Sequence, residues 1–149
     1  MTTEANKAII RRFKDDVLNG RDVDVLDEIV ADDYLDHAAF PGQEPGRQGV
    51  KRRISYLLAA LDPRWTAHDF IAEGDLVVAR WSLTGTHRGE FLGLQPTGKK
   101  FTLKVIETYR IRDAKMAEHW NVVDMFGLYQ QLGLIPESHI GPTIRSRST

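Results

Sequence analysis

The sequence predicts an α+β domain in which helices pack on one face of a curled antiparallel sheet. Apolar residues recur at helical spacing before Pro63 and at a period near two after it. Helices followed by strands are typical of an α+β domain. No linker or internal repeat divides the 149 residues, so we expect one domain over 1–149, with a weakly patterned tail over 135–149. A sheet of so few strands must curl around the helices to bury its apolar face, and we expect a conical cavity between them.

Three helices are expected before Pro63. Thr2-Thr3-Glu4 suits the start of the first helix, because hydroxyls cap exposed N–H groups and an acid complements the helix dipole. Asn19-Gly20 is expected to end it, since glycine readily adopts the left-handed conformation. Asp22 caps a second, shorter helix. The third helix carries Lys51-Arg52-Arg53 on its outer side and ends before the proline.

Four strands are expected after Pro63, over residues 65–72, 76–86, 101–111 and 115–123. Glu73-Gly74-Asp75 joins the first two as a short hairpin turn, because glycine tolerates the backbone conformation that such a turn needs. A closing helical turn is expected over residues 125–132, stopped by Gly133.

The composition excludes several classes of protein. Lys+Arg 20 and Asp+Glu 21 balance to a net charge of −1, whereas a nucleic-acid footprint needs a clustered basic excess. The chain has no cysteine, which excludes disulfides and suits a reducing cytoplasm. Its start does not resemble a signal peptide, and no apolar run approaches the roughly 20 residues that a membrane span needs. We therefore expect a soluble, cytoplasmic protein with neither a nucleic-acid nor a membrane partner.

The segment Glu118-His119-Trp120-Asn121-Val122-Val123-Asp124 concentrates polar and aromatic groups in the last expected strand. Side chains alternate along a strand, so Glu118, Trp120, Val122 and Asp124 should share one face. A carboxylate is costly to bury on an apolar face without a use. Asp124 is therefore our first candidate for a catalytic base at the floor of the cavity, with its pKa raised by apolar neighbours. The alternative is that Asp124 only caps the helix that begins at Met125.

His119 and Asn121 fall on the opposite face of that strand by the same alternation. His119 could enter the pocket beside Asp124 only if a bulge intervened. It is a catalytic candidate with a structural alternative, a histidine in a subunit contact. Trp120 is expected as a wall of the core or of the pocket, where aromatic side chains suit flat polycyclic ligands.

A second cluster, Tyr34-Leu35-Asp36-His37, follows the second helix and precedes a loop rich in Pro and Gly. Loops at a cavity mouth often carry proton donors, and His37 could polarise a substrate carbonyl. The same residues could equally be helix-end and turn chemistry. His37 is therefore a candidate catalytic residue, and Tyr34 and Asp36 are candidate substrate contacts.

Glu107 is the most unusual residue of the third strand, because its neighbours on that face are apolar or aromatic. Two placements stay open: pairing with Arg80 or Lys104 across the sheet, or pointing into the cavity. Arg80 is expected in a structural ion pair or, alternatively, at an anionic group of the substrate. Trp65 and Tyr109, with Trp120, would grip the substrate rings.

The sequence shows no motif for a metal or a cofactor. Its glycines do not form a phosphate-binding strand-to-helix turn, and its five histidines lack metal-ligand spacing. We expect acid–base chemistry without a cofactor.

Several segments carry a resemblance when they are taken together. They are NKAIIRRF (residues 6–13), VLNG (17–20), YLDH (34–37), GTHRGEFLG (85–93), PTG (96–98), EHW through Asp124, and GLYQQLG (127–133). On these segments the chain resembles the SnoaL-like polyketide cyclases, a branch of the NTF2-like α+β cone fold.

The resemblance implies a dimeric cone with a buried pocket that binds a hydrophobic small molecule. It implies that Asp124, which matches the family's pocket aspartate, acts as acid and base in an intramolecular aldol condensation that closes a polyketide ring. Some relatives have an asparagine where this chain has Asp36 beside His37. Because the outer face of a curled sheet should be partly apolar, we expect a homodimer through the sheet.

Alternatives stay open on the same cone. An isomerase, an epoxide hydrolase or a cofactor-free hydroxylase would need a second pocket acid beside Asp124, for which Glu107 is the candidate. A non-catalytic small-molecule-binding module would use Asp124 only as a helix cap.

Overall fold

The structure, a computed structural model, describes residues 1–136. The rest of the predicted tail, residues 137–149, lies outside the described residues. Within the described part the α-helices are α1 (Thr3–Arg12), α2 (Leu26–Ile29), α3 (Gly46–Leu61) and α4 (Met125–Gln131). A π-helical stretch, Phe13–Asn19, continues α1, and a 3-10 turn, Val23–Val25, leads into α2. None of the helices described is both long and apolar enough to cross a membrane.

Five strands form the sheet of the described chain: β1 (Val30–Asp36), β2 (Arg64–Glu73), β3 (Leu76–Thr86), β4 (Lys100–Arg112) and β5 (Lys115–Val123). Their order across the sheet is β1-β5-β4-β3-β2. The predicted α+β architecture is confirmed, and the four expected strands form at the expected places. The sheet is mixed, however, because β1 pairs with β5 in parallel while the other pairs are antiparallel.

The helix ends show which local signals were interpreted correctly. The Thr2 hydroxyl accepts a hydrogen bond from the Ala5 amide at 3.0 Å, as expected for a cap. Gly20 was expected to be left-handed, but its φ is −75°, and the left-handed residue is Arg21 with φ 62°. The π-helical stretch inserts extra chain before the stop, and this moves the reversal one residue onward. The third helix ends as predicted, at a left-handed Asp62 before Pro63.

The core lies between the concave face of the sheet and the helices. Side chains at odd positions of β3 and β4 point inward, including Trp81, Leu83, Leu103 and Tyr109. Helix α1 packs on β2 and β3, helix α3 packs on β1, and helix α4 packs on β4. A hollow remains between the sheet, α3 and α4.

Candidate active site

The hollow is a chamber of about 430 Å³ between the concave face, α3 and α4. This volume falls within the roughly 300–1,000 Å³ of typical small-molecule sites. Most of its wall is apolar: Ala38, Phe40, Leu57, Leu61, Pro63, Trp65, Leu83, Phe91, Leu92, Leu103, Val105, Val123 and Met125. The polar side chains that the described chain contributes to the wall are Arg53, Glu107, Asn121 and Tyr129.

A second, smaller void of about 40 Å³ adjoins the chamber. Leu57, Trp65, Arg53 and Glu107 belong to the walls of both. The smaller void, here called the apex, is also lined by the polar groups Tyr34, Asp36, Tyr109 and His119. Glu107 is therefore the carboxylate that connects the buried polar cluster to the apolar chamber.

The register of the sheet brings this cluster together. His119 of β5 is the partner of Tyr109 on β4 and of Asp36 on β1. Its ring is 3% exposed and lies between the rings of Tyr34 and Tyr109, with centroid separations of 6.5 Å and 5.0 Å. Two residues further along β5, Asn121 is the register partner of Glu107. The parallel edge strand is thus what delivers Asp36 to the histidine.

Both ring nitrogens of His119 face carboxylates. Nδ1 lies 2.9 Å from Asp36 Oδ1, and Nε2 lies 3.1 Å from Glu107 Oε1. A neutral imidazole carries one N–H and could donate only one of these hydrogen bonds, whereas the imidazolium donates both. The geometry therefore favours the charged ring.

Asp36 is held by four donors. Its Oδ2 accepts hydrogen bonds from Arg53 Nη1 at 2.8 Å and from the Gln43 amide at 2.9 Å. Its Oδ1 accepts hydrogen bonds from the Ala38 amide and from His119, both at 2.9 Å. This set satisfies a buried carboxylate without substrate, so Asp36 is a structural partner of His119 rather than a group that is free to react.

The protonation states follow from these contacts. Burial by itself would raise the pKa of Asp36 and Glu107, but the hydrogen bond from His119 to each of them, together with the positive charges of His119 and Arg53 and the other donors, holds both pKa values below their usual range. Burial would lower the pKa of His119, yet its hydrogen bonds to Asp36 and Glu107 raise that pKa instead. With Arg53, the cluster holds two positive and two negative charges and is neutral overall.

The two tyrosines of the cluster remain protonated donors. Burial, followed by the nearby carboxylate charges, raises the pKa of Tyr34 and of Tyr109 well above their usual value. The Tyr109 hydroxyl donates to Glu107 Oε2 at 2.7 Å. Glu107 thus accepts one hydrogen bond on each oxygen and still presents lone pairs toward the chamber.

Asp124 does not occupy the predicted position, and this corrects our first candidate. Its side chain is exposed and accepts the Gly127 amide hydrogen at 2.9 Å, as the N-cap of α4. It lies in an open groove on the convex face of the sheet, with Lys104 and Val122, and is not part of the chamber wall. The capping alternative is the one that the geometry supports, because β5 ends at Val123 and the chain turns outward there.

Three other predicted site residues also lie away from the chamber. Trp120 is on the convex face, where its ring stacks on His37 at 4.8 Å. His37 is half-exposed and pairs through Nε2 with Glu118 Oε1 at 2.8 Å. Arg80 is exposed and forms a structural ion pair, which was one of its two expected roles. Its partner is Asp69, at 2.6 Å, and not Glu107. The alternation along β5 was interpreted correctly, but the face assigned to the pocket was the wrong one.

The remaining candidates meet at the cavity. Trp65 lines both the chamber and the apex, while Tyr34, Asp36, Tyr109 and His119 line the apex. Of the two placements that stayed open for Glu107, the structure has the one inside the cavity, 3.1 Å from His119.

Three polar residues of the chamber wall, Arg53, Asn121 and Tyr129, were missed from the sequence. Arg53 was expected on the outer side of α3, but its side chain is only 10% exposed and its guanidinium lies 4.6 Å from the Phe40 ring centroid. Asn121 was placed on the face opposite the pocket. A signal was available in the sequence. His119, Asn121 and Val123 fall on the same face of β5, and Glu107 lies on that face of the neighbouring strand β4.

No group of three or more His, Cys, Asp or Glu side chains in residues 1–136 is arranged to hold a metal ion. The polar groups of the cluster are instead paired with one another. Arg53 pairs with Asp36, and His119 pairs with both Asp36 and Glu107. This arrangement can keep the Glu107 carboxylate ionised, and therefore able to accept a proton, at the edge of an apolar chamber.

Comparisons with known proteins agree with this architecture. The family described as SnoaL-like polyketide cyclase matches residues 8–132. The nogalonic acid methyl ester cyclase of Streptomyces nogalater is 30% identical over 113 residues, covering 74% of this chain and 84% of that protein. The aklanonic acid methyl ester cyclase DauD of Streptomyces sp. (strain C5) is 28% identical over 129 residues, covering 84% of this chain and 80% of that protein.

A similar solved structure is that of TsrD from Streptomyces laurentii, with a TM-score of 0.83 and 28% identity, covering 91% of this chain and 99% of that one. The expected fold, family and class of enzyme are therefore confirmed. The chain belongs to the SnoaL-like polyketide cyclase family.

Proposed function

We propose that this protein closes a ring in a polyketide-like or aromatic carbonyl compound by an intramolecular aldol reaction, with Glu107 as the base. The observation that carries the proposal is the position of Glu107, a charged carboxylate in the wall of an otherwise apolar chamber, backed by a buried imidazolium. The relatives named as methyl ester cyclases support the reaction class.

Glu107 is the catalytic candidate because it alone among the clustered acids borders the chamber. Asp36 is saturated by four donors, and His119 borders only the apex. Asp124 faces the other side of the sheet. We therefore assign the role of acid and base to Glu107 instead of Asp124. We assign His119 as the positioning residue that keeps the Glu107 carboxylate ionised.

The proposed steps conserve every atom of the substrate. The Glu107 carboxylate takes a proton from a carbon next to a carbonyl group, and the electrons of that C–H bond form the enolate. The enolate carbon then forms a C–C bond to a ketone carbon of the same molecule, and the electron pair of that carbonyl moves to its oxygen as an alkoxide. The protonated Glu107 returns its proton to the alkoxide, and the product is an isomer of the substrate.

The surroundings of Glu107 indicate which C–H bond it can ionise. Burial would raise its pKa, but the hydrogen bonds from His119 and Tyr109, together with the positive charges of His119 and Arg53, bring that pKa below the usual range. A weakened base suits a carbon acidified by two flanking carbonyl groups rather than by one. General acid–base help of this kind contributes roughly 10²–10⁴ in rate, and the apolar wall adds orientation of the folded substrate.

Product analysis tests the proposal. The purified protein is incubated with a methyl ester of a polyketide-like β-keto acid that carries a ketone within reach, and the product is examined by mass spectrometry and NMR. We expect a product of unchanged mass with a new C–C bond. A product heavier by one oxygen atom would indicate a hydroxylase, the free acid with release of methanol would indicate a hydrolase, and ligand recovered unchanged would indicate a binding module.

We further propose a homodimer that forms through the convex face of the sheet. Ile106 and Val122 are cross-strand partners on that face and are 48% and 75% exposed. They border an open groove together with Arg80, Lys104 and Asp124. An exposed apolar centre with a charged rim is typical of an interface. That all 149 residues form one domain, and that the protein acts in the cytoplasm, stay predictions.

A further inference from the structure

We infer that Asn121 and Arg53 form a two-point donor site that receives the two oxygens of a β-dicarbonyl enolate above Glu107. The inference rests on the proposed function, since Glu107 is the group that would generate the enolate. It adds an oxyanion-binding residue, Asn121, and a ligand chemistry that the site is built to prefer.

The three side chains share one wall of the chamber. Asn121 is the register partner of Glu107 on the neighbouring strand, and both side chains face inward. Directly opposed residues of an antiparallel pair have Cβ atoms about 4.5–5.5 Å apart. Arg53 reaches the same wall from α3, anchored through Nη1 to Asp36 at 2.8 Å.

Both residues have donors to spare. Within residues 1–136 no hydrogen bond of the Asn121 side-chain amide to another protein group is described, although this amide borders the chamber. The Nη1 of Arg53 donates to Asp36 and Ala38, whereas its Nη2 has no acceptor among the described residues, and its Nε is buried without one. Two side chains with donors that have no acceptor in the described part of the chain therefore meet at one wall of an apolar cavity, and this points to an acceptor-rich ligand.

Charge balance decides what kind of acceptor fits. Arg53, His119, Asp36 and Glu107 sum to zero before substrate binds. A neutral β-dicarbonyl compound that gives its proton to Glu107 leaves the cluster with one net positive charge beside one delocalised negative charge. A ligand that arrives already charged, such as a carboxylate, would add a negative charge beside an ionised Glu107 and should be disfavoured.

The probe for the test is benzoylacetone, an aromatic β-diketone whose enolate absorbs at longer wavelength than its neutral form. Benzoylacetone lacks a further ketone for internal ring closure, so its ionisation is separate from the cyclase reaction. Ultraviolet difference spectra are recorded during titration of the wild-type protein and of Asn121→Ala, with benzylacetone, a monoketone, and benzoate as comparison ligands.

The wild-type protein should bind benzoylacetone as its enolate and bind benzoate at least tenfold more weakly. Loss of a hydrogen bond to a charged group should make Asn121→Ala bind the enolate roughly tenfold to a hundredfold more weakly, with benzylacetone binding unchanged. Asn121→Asp, of nearly equal size but without the N–H donors, should lose the enolate signal. Ile71→Ala, at an exposed position on the edge strand β2 and outside both the chamber wall and the proposed interface, is the control and should behave as wild type.

An unchanged enolate signal in Asn121→Ala and Asn121→Asp would overturn the inference, as would a wild-type protein that binds the diketone only in its neutral form. The outcomes separate the two proposals. Enolate binding without ring closure of the β-keto ester substrate contradicts the proposed function alone. Ring closure that is unaffected by either Asn121 substitution contradicts this inference alone.

Discussion

Arg53, together with His119, balances the negative charges of the two buried acids, Asp36 and Glu107. Its ion pair with Asp36 is largely removed from water, and Asp36 in turn holds His119. A buried pair of this kind adds little net stability over apolar residues, but removing one partner leaves an uncompensated buried charge. At the residue scale, the site therefore depends on a continuous chain of contacts from Arg53 to Glu107.

We predict that Arg53→Met lowers the free energy of unfolding by about 3–5 kcal/mol, because Asp36 loses its cation while buried. The matched control is Arg80→Met, which breaks the exposed pair with Asp69 and should cost less than about 1 kcal/mol. Urea denaturation of both variants measures the difference. Equal losses in the two variants would show that the Arg53 pair is not buried in solution.

Part of this site can be found from the sequence. Glu107 stands out because its neighbours on that strand face are apolar or aromatic, and the sequence left the cavity as one of two placements for it. The alternation around His119 was also available, but alternation alone does not say which face of a strand is concave. Arg53 could not be recognised, since it follows two solvent-facing basic residues and its inward turn depends on Asp36, which is distant in sequence.

Helix α4 begins at the cap that we had first taken for the catalytic base. The Asp124 carboxylate accepts the Gly127 amide, and a Cβ at position 127 would collide with that carboxylate. At the element scale, Asp124 and Gly127 together turn the chain from β5 into the helix that closes the chamber with Met125 and Tyr129.

Replacing Asp124 by Ala should lower the free energy of unfolding by about 0.5–2 kcal/mol, because α4 loses its cap. Asp124→Asn should cost at most a few tenths of a kcal/mol, since Asn caps about as well. Thermal melts and urea titrations give both values. A loss in Asn as large as that in Ala would mean that the charge, rather than the cap, matters at this position.

Strand β1 is the element that the sequence did not reveal. Its residues Asp32 and Asp33 are exposed and interrupt the expected alternation, so the segment resembled a helix end and a turn. Its pairing with β5 is irregular between Val30 and Leu35, and it is a parallel contact made across a long sequence separation. Such pairing is decided by the tertiary fold, whereas the hairpin strands, whose partners are adjacent in sequence, were predicted within one or two residues.

At the scale of the whole molecule, the buried cluster sets a pH window for stability. The folded pKa of His119 lies above its usual 6.5, so its contribution is complete below 6.5 and is lost as the pH rises through the folded value. The folded pKa values of Asp36 and Glu107 lie below their usual 3.8 and 4.5, so their contribution is complete above 4.5 and is lost as the pH falls.

We therefore expect the melting temperature to be highest between about pH 4.5 and 6.5 and to fall on either side. His119→Gln should remove the fall on the alkaline side, whatever its overall stability. The same change at exposed His68, which contacts neither carboxylate, should leave that fall in place. An alkaline limb that persists in His119→Gln would contradict the imidazolium assignment.

The proposed dimer makes a separate prediction for the assembled molecule. Val122→Glu would place a charge at the centre of the convex face and should weaken the dimer roughly a hundredfold or more. Ile71→Glu, at an exposed position on the far edge strand, is the control and should sediment as wild type. Analytical ultracentrifugation over a concentration series checks this. A wild-type protein that is monomeric throughout, or a Val122→Glu variant that remains as dimeric as wild type, would rule out this interface.

The assignment of the catalytic base is tested most directly by comparing the ring-closure kcat of Glu107→Gln with that of Asp124→Asn. Both changes keep the size of the side chain. Glu107→Gln, however, replaces one acceptor oxygen by an NH₂ group and removes the charge that faces His119, so it should melt lower than wild type, and both variants are assayed well below their melting temperatures. We predict a fall of about 10²–10⁴ in kcat for Glu107→Gln and an unchanged kcat for Asp124→Asn. An active Glu107→Gln beside an inactive Asp124→Asn would contradict this account and return the reaction to the convex side of the sheet.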